Sequence, residues 1–131
     1  MKILGNYVEL WPKTANTPLG SIKKYVQADR ARDADLIRRY LSSGETIISM
    51  MSVDVDVIEG TTEILGGSSV LTDGVWVWRE SLAYYYHRYN LRLPPDFIQA
   101  VRGLKYQVPP VLDQRGAEFS KELRKILRPS K

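Results

Sequence analysis

Hydrophobic and polar positions alternate along this chain with two different periods, and the period changes several times. Ile3 to Leu10 reads as a first strand, with Tyr7, Val8 and Trp11 as contributors to a core. Pro12, Asn16, Pro18 and Gly20 then mark a loop. SIKKYVQ offers one short helical turn. DRARDADLIRRYLSSG carries the stronger signal, with Ala34, Ile37 and Leu41 at helical spacing. Asp29 or Asp33 can accept bonds from the free N–H groups at its start, Arg38 and Arg39 suit its negative end, and Gly44 stands where a left-handed residue closes a helix. The next stretch changes to period two. TIISMM is an apolar run and SVDVDVI alternates strictly, so Thr46 to Ile58 reads as one strand. Val53, Val55 and Val57 lie on one side of it, and Ser52, Asp54 and Asp56 on the solvent side.

Gly60 and Thr61 punctuate the chain, TEIL gives a short strand and GGSS a loop. Val70-Leu71 and Val75 to Trp78 flank a Thr-Asp-Gly turn and pair as a hairpin, because Asp-Gly supplies the positive φ that a tight turn needs. From Arg79 onward the pattern is helical: one helix to Tyr89, a second opened by Pro94 or Pro95 and ended about Gly103, and a last from about Arg115 to Leu127. Strand, helix, several strands and then helices predict an α+β fold. A mostly antiparallel sheet carries packed helices, and the C-terminal half is largely helical. A length of 131 residues fits a single globular domain spanning 1–131, large enough for one core.

Composition narrows the chemistry. There is no Cys, which excludes disulfides and thiolate metal sites, and the lone His87 rules out a His-rich centre. No apolar run is long enough to span a bilayer, and MKILGNYVELWPK does not read as a secretory leader, so a cytoplasmic protein with no membrane association is expected. The net charge of +4 is unevenly spread. From Tyr40 to Trp78 there is no Lys or Arg, while Glu45, Asp54, Asp56, Glu59, Glu63 and Asp73 all fall there. An acidic middle lies between two basic flanks, which suits either an acidic binding face or a sheet flanked by Lys- and Arg-rich helices.

The densest candidate stretch is TDGVWVWRESLAYYYHRYN. Trp76 and Trp78 share a strand face, and Trp76, Leu82, Tyr86 and Tyr89 are expected in the core. Tyr84, Tyr85 and Arg88 are left as an exposed aromatic–basic surface, suited to a protein contact or to base stacking. His87 lacks a recognisable Ser or carboxylate partner, so no catalytic residue is assigned and no enzyme is expected. Asp54 and Asp56, two apart on one strand face, would hold carboxylates about 7 Å apart. That spacing can serve Mg²⁺, acid–base work or an acidic contact surface, and the last needs no catalytic geometry. No phosphate-loop, zinc-helix or calcium-loop pattern occurs, so neither a metal nor a cofactor is expected. The C-terminal KELRKILRPSK can meet phosphates, but Glu118 and Glu122 interleave with its basic residues as in a solvated helix.

VLTDGVWVWRESLAYYYHRYNLRLPPDFIQAV, with the earlier RRYLSSGETIISMM, resembles a signature of small bacterial proteins: a Thr/Ser-Asp-Gly turn, Trp-x-Trp, Leu-Ala-Tyr-Tyr and Leu-Pro-x-x-Phe. Some of that group resemble immunity proteins of polymorphic-toxin and contact-dependent growth inhibition systems. Arg79 departs from the pattern, standing where the group has Pro as the first helical residue. The resemblance implies a protein that binds a cognate toxin domain, with a nuclease as the expected target, and blocks its active site.

Two readings follow. In the first, an immunity protein meets its toxin through the acidic middle, with Asp54, Asp56, Glu59, Glu63 and Asp73 as contacts. Nuclease sites are cationic, and screening within about 8 Å lets a local acidic face act despite the positive total. In the second, a small nucleic-acid-binding module uses the basic flanks with Tyr84, Tyr85 and Arg88.

Overall fold

The computed structural model describes residues 1–12 and 17–127, so Asn16 of the expected loop and the tail from Arg128 lie outside the described residues. Strands β1 (Lys2–Ile3), β2 (Glu45–Ile48), β5 (Val70–Thr72) and β6 (Trp76–Arg79) form one sheet in the order β1-β6-β5-β2. β3 (Val53–Val55) and β4 (Glu63–Leu65) form a separate two-stranded sheet. The helices are α1 (Ala34–Ser42), α2 (Leu82–Tyr89), α3 (Pro95–Gly103) and α4 (Asp113–Leu127). The fold is α+β, as the alternation of periods predicts. β1 runs parallel to β6, and the remaining strand pairs are antiparallel.

Alternation along β5 and β6 sends side chains to two cores. Leu71, Trp76 and Trp78 meet Ile37, Tyr40 and Leu41 of α1, Leu82, Tyr85 and Tyr86 of α2, and Phe97 and Val101 of α3. Phe97 stands edge-on to Trp76, Trp78 and Tyr40, a favoured arrangement for rings whose faces are negative and edges positive. On the opposite side, Val70 and Val77 are covered by Phe119 and Leu123 of α4 and by Trp11. Trp76, Leu82 and Tyr86 are buried as expected, while Tyr89 is half-buried at the edge of the cluster.

Several expectations need correction. The first strand ends at Ile3, because Gly5 turns the chain with φ +68°, and Val8 is exposed. Asp33 precedes α1 but makes no side-chain cap. Its carboxylate instead accepts from Arg102 Nε (2.8 Å) and from the Tyr106 hydroxyl (2.6 Å), tying α1 to the end of α3. Gly44 does not take a left-handed conformation. Its role is close approach, since a Cβ there would lie 2.7 Å from the Trp78 ring. Arg79 is the last residue of β6, and α2 starts three residues later.

The expected strand from Thr46 to Ile58 is interrupted. β2 ends at Ile48 and β3 starts at Val53. The pairing register nevertheless carries through: Ile48 faces Val70 and Val53 faces Leu65, five residues further along each strand. β2–β3 and β4–β5 are therefore the two sides of one long bent hairpin. At the bend the Ser69 hydroxyl donates to the Met50 carbonyl (3.2 Å) and accepts from its N–H (2.9 Å), standing in for a ladder bond. Gly66, with φ +69°, and Gly67 fill the other side. A Cβ on Gly67 would sit 2.9 Å from the Asp54 carboxylate and 3.1 Å from Ser81, so Gly67 lets the outer arm lie down on the start of α2.

Candidate interaction surface

The bend sets which side of the arm meets the protein, and the outcome inverts the expectation. Val53, Val55 and Leu65 point outward, with exposures of 61%, 45% and 78%, while Asp56 points inward and has none. Apolar residues normally take the inner side, and a carboxylate goes there only when hydrogen bonds replace its water.

Asp56 has such a shell. One oxygen accepts from the phenols of Tyr84 (2.7 Å) and Tyr89 (2.6 Å), both on α2. The other accepts from the N–H groups of Ile58 (2.7 Å) and Glu59 (3.0 Å) in its own turn. Arg88 approaches to 4.0 Å. Burial pushes the Asp56 carboxyl up, but the two phenols and the two N–H groups outweigh it and hold the group below the usual range. Tyr85, also on α2, accepts from the Val57 N–H at 3.0 Å. DVDVI on the arm and YYYHRY on α2 therefore form the clasp that holds the arm on α2.

The remaining acidic residues divide by exposure. Asp54 is half-buried and accepts from Ser52 and Ser68 at 3.0 Å. Asp73 is buried. It closes the Thr-Asp-Gly turn by accepting from the N–H groups of Val75 (3.0 Å) and Trp76 (2.8 Å), and it accepts from the Tyr40 hydroxyl at 2.7 Å. Glu59 is exposed, and its carboxylate folds back on Thr61 and Thr62. Those contacts, the Thr61 hydroxyl foremost, pull it down to about 2. Glu63 is exposed on the outer side of β4. Of the five acidic contacts expected from sequence, then, Asp56 and Asp73 are internal, Asp54 is committed to serines, and Glu59 and Glu63 lie on the surface. The alternative surface is corrected too: Tyr85 is buried, the Tyr84 hydroxyl is taken by Asp56, and only Arg88 is exposed.

The two Asp residues also lack the arrangement for a metal, since hydrogen-bond donors already occupy their oxygens. Among the described residues no group of three or more His, Cys, Asp or Glu could hold an ion. Nor is any described helix long and apolar enough to cross a membrane. The cleft between the arm and β6, lined by Glu9, Asp54, Val57, Arg79 and Tyr85, holds only about 120 Å³. Arg79, buried within it, donates to the Leu10 and Ser68 carbonyls and lies 4.6 Å over the Trp11 ring, which makes it a tie between the N-terminal turn and the arm.

What the geometry brings together on the outside is apolar. Met51 is fully exposed, and Met50, Val53, Val55 and Leu65 are each at least 41% exposed. They share the outer side of the bent hairpin with Glu63, and Glu80 borders a shallow groove along Met50, Met51, Val53 and Leu65. Scattered apolar side chains are ordinary on a surface, but a contiguous patch on one rigid face marks a contact site. No family model matches this sequence, and no curated protein or solved structure matches the chain. The signature residues are accounted for by their physics: turn closure by Asp73, core rings at Trp76 and Trp78, and the clasp around Asp56.

Sequence reasoning missed Met50, Met51, Val53, Val55 and Leu65. The alternation of SVDVDVI was visible, but alternation gives two faces without saying which is inner. The signal that could have decided it was YYYHRY on α2, whose Tyr84 and Tyr89 hydroxyls and Arg88 guanidinium are donors that a buried carboxylate satisfies.

Proposed function

We propose that the protein is a binding protein whose working surface is the outer face of the β3–β4 arm, and that it neutralises a bacterial toxin by covering its active site or substrate path. One observation carries this reading. Met51, Val53, Val55 and Leu65 form an exposed apolar face in a segment, Tyr40 to Trp78, that contains no Lys or Arg. Burying one such aliphatic side chain in an interface is worth about 1.5–3 kcal/mol, and acidic groups at the rim, Glu59, Glu63 and Glu80, select a partner with a basic surround. A nuclease, whose site must hold phosphates, has that surround. The contacts are thus Met51, Val53, Val55 and Leu65 with Glu59 and Glu63. Asp54, Asp56 and Asp73 build the scaffold beneath.

The test is a growth assay. The C-terminal portion of the product encoded immediately upstream is induced in a bacterial host with and without this protein. Arrest alone and recovery with the protein support the reading. A harmless neighbour, or arrest that persists with folded protein present, removes it.

A nucleic-acid module is the second reading, and one observation favours it: Lys121, Arg124 and Lys125 are exposed together along α4. It has lost its stacking aromatics, since Tyr85 is buried and Tyr84 is bonded to Asp56. Filter binding to RNA and duplex DNA at low and high salt distinguishes it, because phosphate contacts weaken steeply with salt.

A further inference from the structure

The hairpin register fixes where the backbone of the arm points. The Asp56 N–H donates to the Thr62 carbonyl and the Gly66 N–H to the Ser52 carbonyl. In an antiparallel pair, residues that exchange hydrogen bonds alternate with residues that do not. Asp54 and Ile64 are therefore the bonded pair, and Val53 opposite Leu65 and Val55 opposite Glu63 are the non-bonded ones. The N–H and C=O groups of Glu63 and Leu65 point away from β3, to the far edge of β4, where no further strand of the described residues pairs. The β3 edge is not equally open. The Val57 N–H there is taken by the Tyr85 hydroxyl, and Val55 and Val57 line the small cleft with Arg79.

Proteins usually blunt such an edge with Lys, Pro or a covering loop. β4, three residues long, carries Glu63 but no Lys or Pro. Its sequence is Glu-Ile-Leu, Leu65 is 78% exposed, and the flanking charges are Glu59, Glu63 and Glu80, whose carboxylate lies over Gly66. A second copy paired through β4 brings Glu-Ile-Leu and no basic residue to meet Glu63.

We propose that the far edge of β4 receives an extended segment of the partner protein, with apolar and basic residues taking turns along one strand face, which adds as a third strand to the β3–β4 hairpin. The proposal rests on reading the arm as the binding element, and it adds backbone pairing to what would otherwise be a side-chain contact. Main-chain bonds to Glu63 and Leu65 fix register, and on the outer face an apolar residue of the added strand stands beside Leu65 and a basic one, two positions away, beside Glu63.

The probe is an eight-residue synthetic peptide, Thr-Val-Thr-Arg-Thr-Val-Thr-Arg, which puts valine and arginine by turns on one strand face, titrated into ¹⁵N-labelled protein. At saturation the Glu63 and Leu65 amides are expected to shift and to exchange with solvent at least about tenfold more slowly, while those of Asp54 and Ile64, already in the ladder, change little. Unmoved Glu63 and Leu65 amides at millimolar peptide overturn the proposal. Protection that grows with protein concentration alone also overturns it, by putting a second copy on the edge. Glu63→Pro removes one outward N–H without touching the β3 ladder, a place where proline is tolerated, and is expected to weaken peptide binding about tenfold, more than Glu63→Gln. Wild-type affinity in a folded Glu63→Pro variant counts against strand addition. In the growth assay, recovery kept by Glu63→Pro but lost in Leu65→Asp removes strand addition and leaves the face reading standing. Recovery kept by both removes both.

Discussion

Asp56 accepts four hydrogen bonds, two from the N–H groups of its own turn and two from the Tyr84 and Tyr89 hydroxyls, and the latter pair links the arm to α2. Removing a buried acceptor leaves its donors dehydrated and unpaired, which costs more than the bonds themselves were worth. Asp56→Ala is therefore expected to destabilise the fold by about 3 kcal/mol in urea or thermal melts. Asp56→Asn, which keeps one acceptor oxygen, should cost less. If Asp56→Ala melts like the wild type, the clasp is not holding the arm. Gly44 offers a second residue-scale test. A Cβ 2.7 Å from the Trp78 ring has no room, so Gly44→Ala is expected to destabilise by about 2 kcal/mol, although at a glycine without a left-handed φ alanine otherwise stabilises by restricting the unfolded chain. A neutral or stabilising Gly44→Ala would show that the Trp78 ring gives way. The sequence placed Asp56 on the solvent side of a strand, whereas it follows the end of β3 and is buried. Hydropathy assigns a carboxylate to water, and only the position of Tyr84 and Tyr89 across the arm reverses that assignment.

At the scale of elements, the helices and the β5–β6 hairpin were readable because each carries a periodic apolar stripe and its own punctuation, Pro95 opening α3 and Asp73-Gly74 turning between β5 and β6. The stretch from Thr46 to Ile58 was read as one strand, without the bend that divides it into β2 and β3. The bend depends on Ser69, Gly66 and Gly67, twenty residues away in sequence, bonding or giving way to Met50 and Asp54. Sequence periodicity carries no term for that contact. The same limit hid the exposed apolar face, because turning the arm onto α2 is what puts Val53 and Val55 outside. The outer face is expected to tolerate substitution without loss of stability. Leu65→Asp, at a position 78% exposed, should leave the melting temperature within about 2 °C of wild type, since surface changes are usually within about 0.5 kcal/mol. A large fall would mean that Leu65 supports the fold and is not free for a partner.

For the whole molecule, the acidic middle of the sequence does not become a uniform acidic face. Folding sorts it, with Asp56 and Asp73 inside and Glu59, Glu63 and Glu80 at the rim of an apolar patch. The pH response follows from the internal carboxylates. Arg102, the main cause, together with Tyr106 holds Asp33 at about 2, below its ordinary value of 3.8. Because folding lowers this pKa, its stabilisation is complete above 3.8 and is lost as pH falls through about 2. Asp56, lowered by its phenols and N–H groups against burial, acts in the same direction. Asp33→Asn is expected to cost about 1 kcal/mol at pH 7, discounted because Arg102 is half exposed, and the difference from wild type should shrink towards zero below pH 2. A gap that stays constant across that range would mean the Asp33 pair does not couple folding to protonation.

The most direct measurement sets two surfaces against each other in the toxin co-expression assay. Val53→Lys with Leu65→Lys reverses the character of the arm, and Lys121→Glu with Arg124→Glu reverses that of α4, both at exposed positions. The account predicts that recovery of growth is lost with the arm variant and kept with the α4 variant, each protein folded by circular dichroism. Recovery kept by the arm variant and lost with the α4 variant would contradict it and move the working surface to the basic helix.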